Sequence, residues 1–155
     1  MTEFTHLDED GHVRMVEVGD KDQTSRRAVA EALVTMTDGT ADALFGGTLP
    51  KGDALASVRL AGIMAAKRTP DLIPLCHPIA ITGVDVEVER AGHGARILAT
   101  VRTTGRTGVE MEAMTAASVA ALTLYDMVKG VERGVEVSAV RLLLKDGGKS
   151  GRWER

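Results

Sequence analysis

The sequence predicts an α+β fold of the ferredoxin-like type, a βαββαβ order in which an antiparallel sheet carries its helices on one face. Three observations predict it. Residues 81–90 alternate through Val84, Val86 and Val88, Ala91-Gly92-His93-Gly94 reads as a hairpin turn, and residues 95–103 read as the returning strand. Glu110 to Lys129 is rich in Ala, Leu and Met and closes on Gly130, which is the composition of a long helix. A second helix, capped by Asp53 and running to about Arg68, precedes the hairpin, and strand-like segments flank the whole set.

In chain order, residues 1–12 read as a polar arm ordered only by docking. Val13 to Val18 alternates weakly as a strand. In residues 26–36 the Ala content suits a helix, but Val34-Thr35 and the period of two through Ala28, Ala30, Ala32 and Val34 favour a strand. Turn and cap residues Thr37-Asp38-Gly39-Thr40 introduce a short helix to Phe45, and 46–52 form a loop. Leu55, Val58, Gly62 and Ala65 share one face of the next helix. Pro70, Pro74 and Pro78 bracket an extended loop around Leu75-Cys76-His77. Val135 to Leu144 is the last strand, and 145–155 a Gly-rich tail. No repeat or low-complexity tract divides the 155 residues, which read as one domain.

Composition excludes several classes of function. Hydrophobic residues make up 44% of the chain and the net charge is -3, which opposes both disorder and a broad basic nucleic-acid face. Phe4, Phe45, Tyr125 and Trp153 are too few to build a base-stacking platform. Apolar stretches are interrupted well before they could span a bilayer, and no secretory signal is readable. A single Cys offers no internal disulfide, so the expected compartment is the cytoplasm. An anionic ligand must then be held by a local cluster of positive charge, which suits a small molecule.

The long helix is the most informative segment. Steps of three and four align Glu112, Thr115, Val119, Leu122, Asp126 and Lys129 in one stripe, with packing expected at its middle and charge at its ends. Asp126 and Lys129 stand one turn apart and could meet around one substrate atom as an acid–base pair. The same spacing also describes an ordinary surface ion pair worth about 0.2–0.5 kcal/mol. Glu112 lies about 21 Å from Asp126 along the axis, at about 1.5 Å per residue. If both serve one site, two copies of the helix must supply it, which predicts a homo-oligomer.

Other positions are open to more than one reading. Lys51, between Pro50 and Gly52, sits in a loop before a helix N-terminus that suits phosphate, or is a solvated loop lysine. Cys76 and His77 are adjacent in an extended segment and point apart, so they make a poor nucleophile–base pair. Cys76 reads as a small packed side chain, and His77 as a structural group or a ligand contact. His6, His12, His77 and His93 lack ligand spacing and no second Cys exists, so no protein metal site is expected. Gly148-Lys149-Ser150 imitates a phosphate-binding loop, but Leu143 stands where a Gly is needed and no helix-length segment follows. Lys145 and Lys149 remain candidate point charges for phosphate or solvated tail lysines.

Five segments, in order, resemble the cyclic pyranopterin monophosphate synthase family. They are Lys51-Gly52-Asp53; residues 61–69; residues 71–78, including Pro74-Leu75-Cys76-His77-Pro78; residues 107–115, including Met111-Glu112; and Leu124-Tyr125-Asp126-Met127 with residues 140–143. The resemblance implies a ferredoxin-like enzyme that takes 3′,8-cyclo-7,8-dihydro-GTP to cyclic pyranopterin monophosphate and releases pyrophosphate. It implies hexamers built as trimers of dimers, with sites between subunits. It maps the catalytic residues onto Asp126, Lys51 and Lys129, and substrate contacts onto Leu75, Cys76, His77, Met111 and Glu112, with Arg26 and Lys145 as further contacts. Glu17 stands where the family pattern has Asp. No cofactor is firmly implied; Mg²⁺ could accompany the triphosphate without protein ligands. Lysine serves as a base only where neighbours lower its pKa, and a site rich in Lys51, Lys129, Lys145 and Arg26 presses that way. Lys51 and Lys129 are then proton carriers, Asp126 orients Lys129 or exchanges a proton, and His77 and Glu112 recognise the guanine-derived ring.

Overall fold

Period-two alternation settles the ambiguous first segment as a strand. In the computed structural model, which describes residues 5–155, this is β1 (Thr24–Thr35), with Ala28, Ala30, Ala32 and Val34 buried on one side. Helix propensity loses here because the alternate face is covered and both edges find partners. Thr37 caps α1 (Asp38–Phe45) through the Thr40 amide, and Asp53 caps α2 (Ala54–Lys67) through the Ala56 amide at 3.0 Å. The Pro70 segment is not extended at its start, because a one-turn helix, α3 (Thr69–Leu72), occupies it. Pro70 falls in the first turn, where a missing N–H costs nothing, and the Thr69 hydroxyl lies 3.1 and 3.0 Å from the Ala65 and Ala66 carbonyls.

The remaining elements are β2 (Ile81–Arg90), β3 (Gly94–Gly105), α4 (Glu110–Val128), β4 (Glu136–Asp146) and β5 (Trp153–Glu154). The sheet runs β2-β3-β1-β4-β5 with every pair antiparallel, so its first four strands have the ferredoxin-like order. Helices α2 and α4 pack together and onto the sheet. Small residues let them approach: a Cβ on Gly62 would stand 3.2 Å from the Ala116 carbonyl and 3.4 Å from the Ala120 methyl.

Four further expectations change. Val13 to Val18 is not a strand; Val13 makes a single bridge to Leu7, and Val13 and Met15 remain exposed, so no sheet edge stabilises the segment. Residues 145–155 are not simply a tail, since Lys145 and Asp146 end β4 and Trp153–Glu154 pairs back onto it. The packed stripe of α4 runs through Ala113, Ala117, Ala120, Leu124 and Val128, while Leu122 is 62% exposed. Gly130 does not adopt a left-handed cap; α4 ends with Lys129 in a right-handed conformation. The arm expected at residues 1–12 falls partly on residues 1–4, outside the described residues. Among the described residues no helix is long and apolar enough to cross a membrane.

The hairpin depends on one glycine. Gly94 has φ +152°, and a Cβ there would lie 1.9 Å from the Val34 carbonyl oxygen. Gly94→Ala is expected to cost about 2–4 kcal/mol of unfolding free energy, because β1 and β3 must part to admit the methyl. Urea denaturation checks this, and a melt that superposes on the parent's refutes it.

Candidate active site

Helical spacing does bring Asp126 and Lys129 together: Lys129 Nζ lies 2.7 Å from Asp126 Oδ1. The loop before α2 adds a third member. Lys51 Nζ donates to Asp126 Oδ2 at 3.1 Å and to the Asp126 backbone carbonyl at 2.7 Å. A carboxylate in the last turn of a helix faces the negative end of its dipole, so two ammonium groups are what make its charge tolerable there. Lys129, and then Lys51, hold the Asp126 carboxyl below the usual carboxylate range. Asp126 in turn raises the Lys129 ammonium above the usual lysine value. For Lys129 the expected depression of basicity is therefore reversed in the free protein. The physical reason is distance: Asp126 touches Lys129, whereas Arg26 and Lys145 lie at the far end of α4.

That far end gathers the other residues. The loop after α3 and the first turn of α4 line a cleft of ≈ 360 Å³ together with Val16, Val18 and Lys21. Leu75, Cys76, His77 and Met111 all border it. Glu112 lies behind them, 1% exposed, with Oε1 3.5 Å from Cys76 Sγ and Oε2 lacking any partner. Burial, assisted by the nearby Glu110 charge, raises the Glu112 carboxyl above the ordinary glutamate value. Burial and Glu112 together push the Cys76 thiol up to about 11, so it is a neutral donor and no nucleophile. His77 Nε2 stands 2.7 Å from the Val16 carbonyl oxygen, which places a proton on that nitrogen. Cys76 and His77 point to different partners, as adjacent residues in extended chain do.

Lys145 and Arg26, the basic residues that the resemblance assigns to this end, are both engaged. Lys145 Nζ lies 3.2 Å from Glu110 Oε1 and 2.6 Å from Ser150 Oγ. Arg26 donates from Nε to the Gly105 carbonyl at 3.0 Å and from Nη2 to the Arg106 carbonyl at 3.2 Å. The sequence-derived residues thus form two groups, one at each end of α4.

The MoaC family model matches residues 15–148. A cyclic pyranopterin monophosphate synthase from Roseiflexus castenholzii is 58% identical over 97% of this chain and 97% of its own length. Enzymes of the same name from Streptomyces avermitilis and Novosphingobium aromaticivorans are 56% and 52% identical, covering 98% and 99% of this chain and 89% and 98% of their own. The chain belongs to the MoaC family.

As a MoaC-family enzyme it contains features that spacing could not reveal. Val16 enters the cleft through its carbonyl from a segment that forms no strand, and Ser150 reaches Lys145 across a Gly-rich turn. Neither leaves a pattern in a single sequence. Glu110 is different: it sits inside the matched segment 107–115, where its adjacency to Met111-Glu112 was the available signal. Glu17, the departure from the family pattern, accepts from the Gly19 amide at 2.6 Å and closes a local turn. Asp8, Asp10 and His12 bring ligand-type atoms within 4.8 Å of one another, a grouping that His and Cys spacing alone overlooks. Asp8 Oδ1 there accepts from the Asp10 and His12 amides, so the cluster is a turn built around one carboxylate.

Proposed function

We propose that this chain acts in molybdenum cofactor biosynthesis, converting 3′,8-cyclo-7,8-dihydro-GTP to cyclic pyranopterin monophosphate with release of pyrophosphate. Family membership supports the reaction, and the observation that carries the chemistry is one carboxylate, Asp126, bridged by two lysines from separate segments. Lys129 enters the reaction protonated and serves first as an acid, toward a nitrogen or oxygen that gains a proton as the purine-derived ring opens. It becomes a base after that transfer, with Asp126 fixing its position throughout. Lys51 neutralises charge developing on phosphate as pyrophosphate leaves, or carries a proton beside Lys129. The ring sits against Leu75, Cys76, His77, Met111 and Glu112, while Lys145 and Arg26 meet phosphate after exchanging their present partners.

We further propose a homo-oligomer, a hexamer of three dimers, in which one subunit supplies Asp126, Lys51 and Lys129 and its neighbour supplies the cleft. The separation of about 21 Å along α4 supports this, because one small substrate cannot react at both ends of a helix. The exposed apolar side chains of Leu60, Met64, Leu72 and Leu122 also suit burial against another subunit. No nucleic acid, membrane or protein-bound metal enters this reading.

The purified protein, incubated with the cyclised GTP intermediate, is expected to form pyrophosphate and the cyclic pterin in equal amounts. Tight binding without product sinks the enzymatic reading. Lys51→Ala is expected to lower kcat by on the order of 10²–10⁴-fold with the fold unchanged, since Lys51 is a half-exposed loop residue. A Lys51→Ala variant with parental turnover removes that residue from the mechanism.

A further inference from the structure

Glu112 is the most unusual titratable group in the structure. Its carboxyl is buried, one oxygen accepts from a thiol at 3.5 Å, and the other has no partner. A carboxylate in such a place would normally recruit an ammonium, a guanidinium or several N–H groups. Among the described residues no Lys, Arg or His lies within ion-pair distance of it. The groups acting on it are its own backbone N–H in the first turn of α4 and the Cys76 thiol from the loop after α3, which favour the charged form, and the Glu110 carboxylate on its own helix, which together with burial opposes it. Lys145 on β4 is turned to Glu110 and Ser150, Arg26 on β1 to the Gly105 and Arg106 carbonyls and Arg27 to Asp146, while Lys21 and His77 border the cleft, and none of these groups pairs with Glu112.

A neutral acid resolves this arrangement. With Oε1 accepting from the Cys76 thiol, the proton belongs on Oε2, which then carries a donor directly behind the side of the cleft bordered by Cys76 and Met111 and meets a ring when that lining parts. A carboxylic acid and a carboxylate recognise different edges of a guanine-type ring. The carboxylate accepts from two adjacent N–H donors. The acid donates to the ring carbonyl and accepts from the neighbouring ring N–H, a matched pair of hydrogen bonds. We infer that Glu112 works as a neutral carboxylic acid, positioned through Oε1 by Cys76, and reads the carbonyl and N–H of the guanine-derived ring rather than two donors. The inference rests on the proposed reaction for its substrate, but not for the protonation state itself. Cys76 acts through Glu112 and is a positioning residue.

The direction of the pH dependence follows. Glu112 binds its proton more tightly in the folded chain than in the unfolded one, so stability falls as pH rises from the ordinary glutamate value, 4.5, toward the raised one. Substrate affinity falls over the deprotonation of the folded protein.

The test uses the full-length protein as it assembles. Infrared difference spectra between parent and Glu112→Gln are expected to contain a protonated-carboxyl C=O band at neutral pH that titrates away on alkalinisation. Cys76→Ala, which removes a donor to the ionised form, moves that midpoint up. Cys76→Ser, a stronger donor, brings it back down, each by about one pH unit or less. A simple packing role for Cys76 would leave the midpoint where it is. With the cyclised GTP intermediate, KM rises with pH in the parent. Glu112→Ala raises KM by on the order of 100-fold, for two lost hydrogen bonds. Glu112→Gln, whose amide keeps one donor and one acceptor, raises it far less and abolishes the pH dependence. Absence of the protonated band at neutral pH overturns the inference. So does a Glu112→Gln variant that binds as poorly as Glu112→Ala. If the protein turns over no substrate at all, the reaction proposed above fails, while the infrared titration still decides the state of Glu112.

Discussion

Asp126→Asn is expected to leave an assembled protein with turnover reduced by about 10³-fold or more. The substitution preserves volume at a half-exposed position, so packing has little to lose. It removes the single negative charge between two ammonium groups, Lys129 at 2.7 Å and Lys51 at 3.1 Å. Without it the lysines repel, and Lys51 keeps only its bond to the backbone carbonyl of residue 126. The pH profile carries a second signature. Asp126 raises the Lys129 ammonium, so its loss lowers that value and moves the alkaline limit of any residual activity to lower pH. Rapid-quench measurement of kcat across pH, with light scattering for assembly, reads both effects. Parental turnover in this variant would refute the assigned role. Lost assembly would show that Asp126 is structural instead.

Much of the fold was legible in the sequence, and the exceptions have physical causes. The β2–β3 hairpin and α4 announced themselves because both pair locally and their periods are undisturbed. The cap at Asp53 was readable because its partner, the Ala56 amide, is three residues away. The segment 13–18 misled because alternation signals a strand only when an edge is available. β5 was missed because two residues are too few to show a period. In the site, spacing alone joined Asp126 to Lys129, while the loop residue Lys51 was legible only as a candidate phosphate contact and was grouped with them through the family resemblance. Its contact spans 75 residues of sequence, a distance over which a single chain shows no periodicity. The stripe on α4 was traced correctly as geometry but misjudged as packing. Leu122 points away from the core of its own subunit.

That outward face leads to the second large effect, in mixed assemblies. Assayed at substrate below the parental KM, chains carrying Asp126→Asn and chains carrying Glu112→Ala are each expected to be nearly inactive alone. Co-expressed with different tags and isolated as mixed oligomers, they are expected to recover about a quarter of the parental activity. The fraction follows from random mixing. A site that draws Asp126 from one subunit and Glu112 from the next is intact only when the first chain carries the Glu112 lesion and the second the Asp126 lesion. Those two independent choices are each about one half. Sites contained within one chain give a different result, because every chain then bears a lesion and no mixture restores turnover. The helix makes the choice sharp. Glu112 is sealed beneath the Cys76 loop at one end, Asp126 is held in the open by two lysines at the other, and α4 is continuous between them. Recovery near zero would place the reacting atoms at one end of α4 alone, and the residues at the other end would have to be reassigned to a separate task.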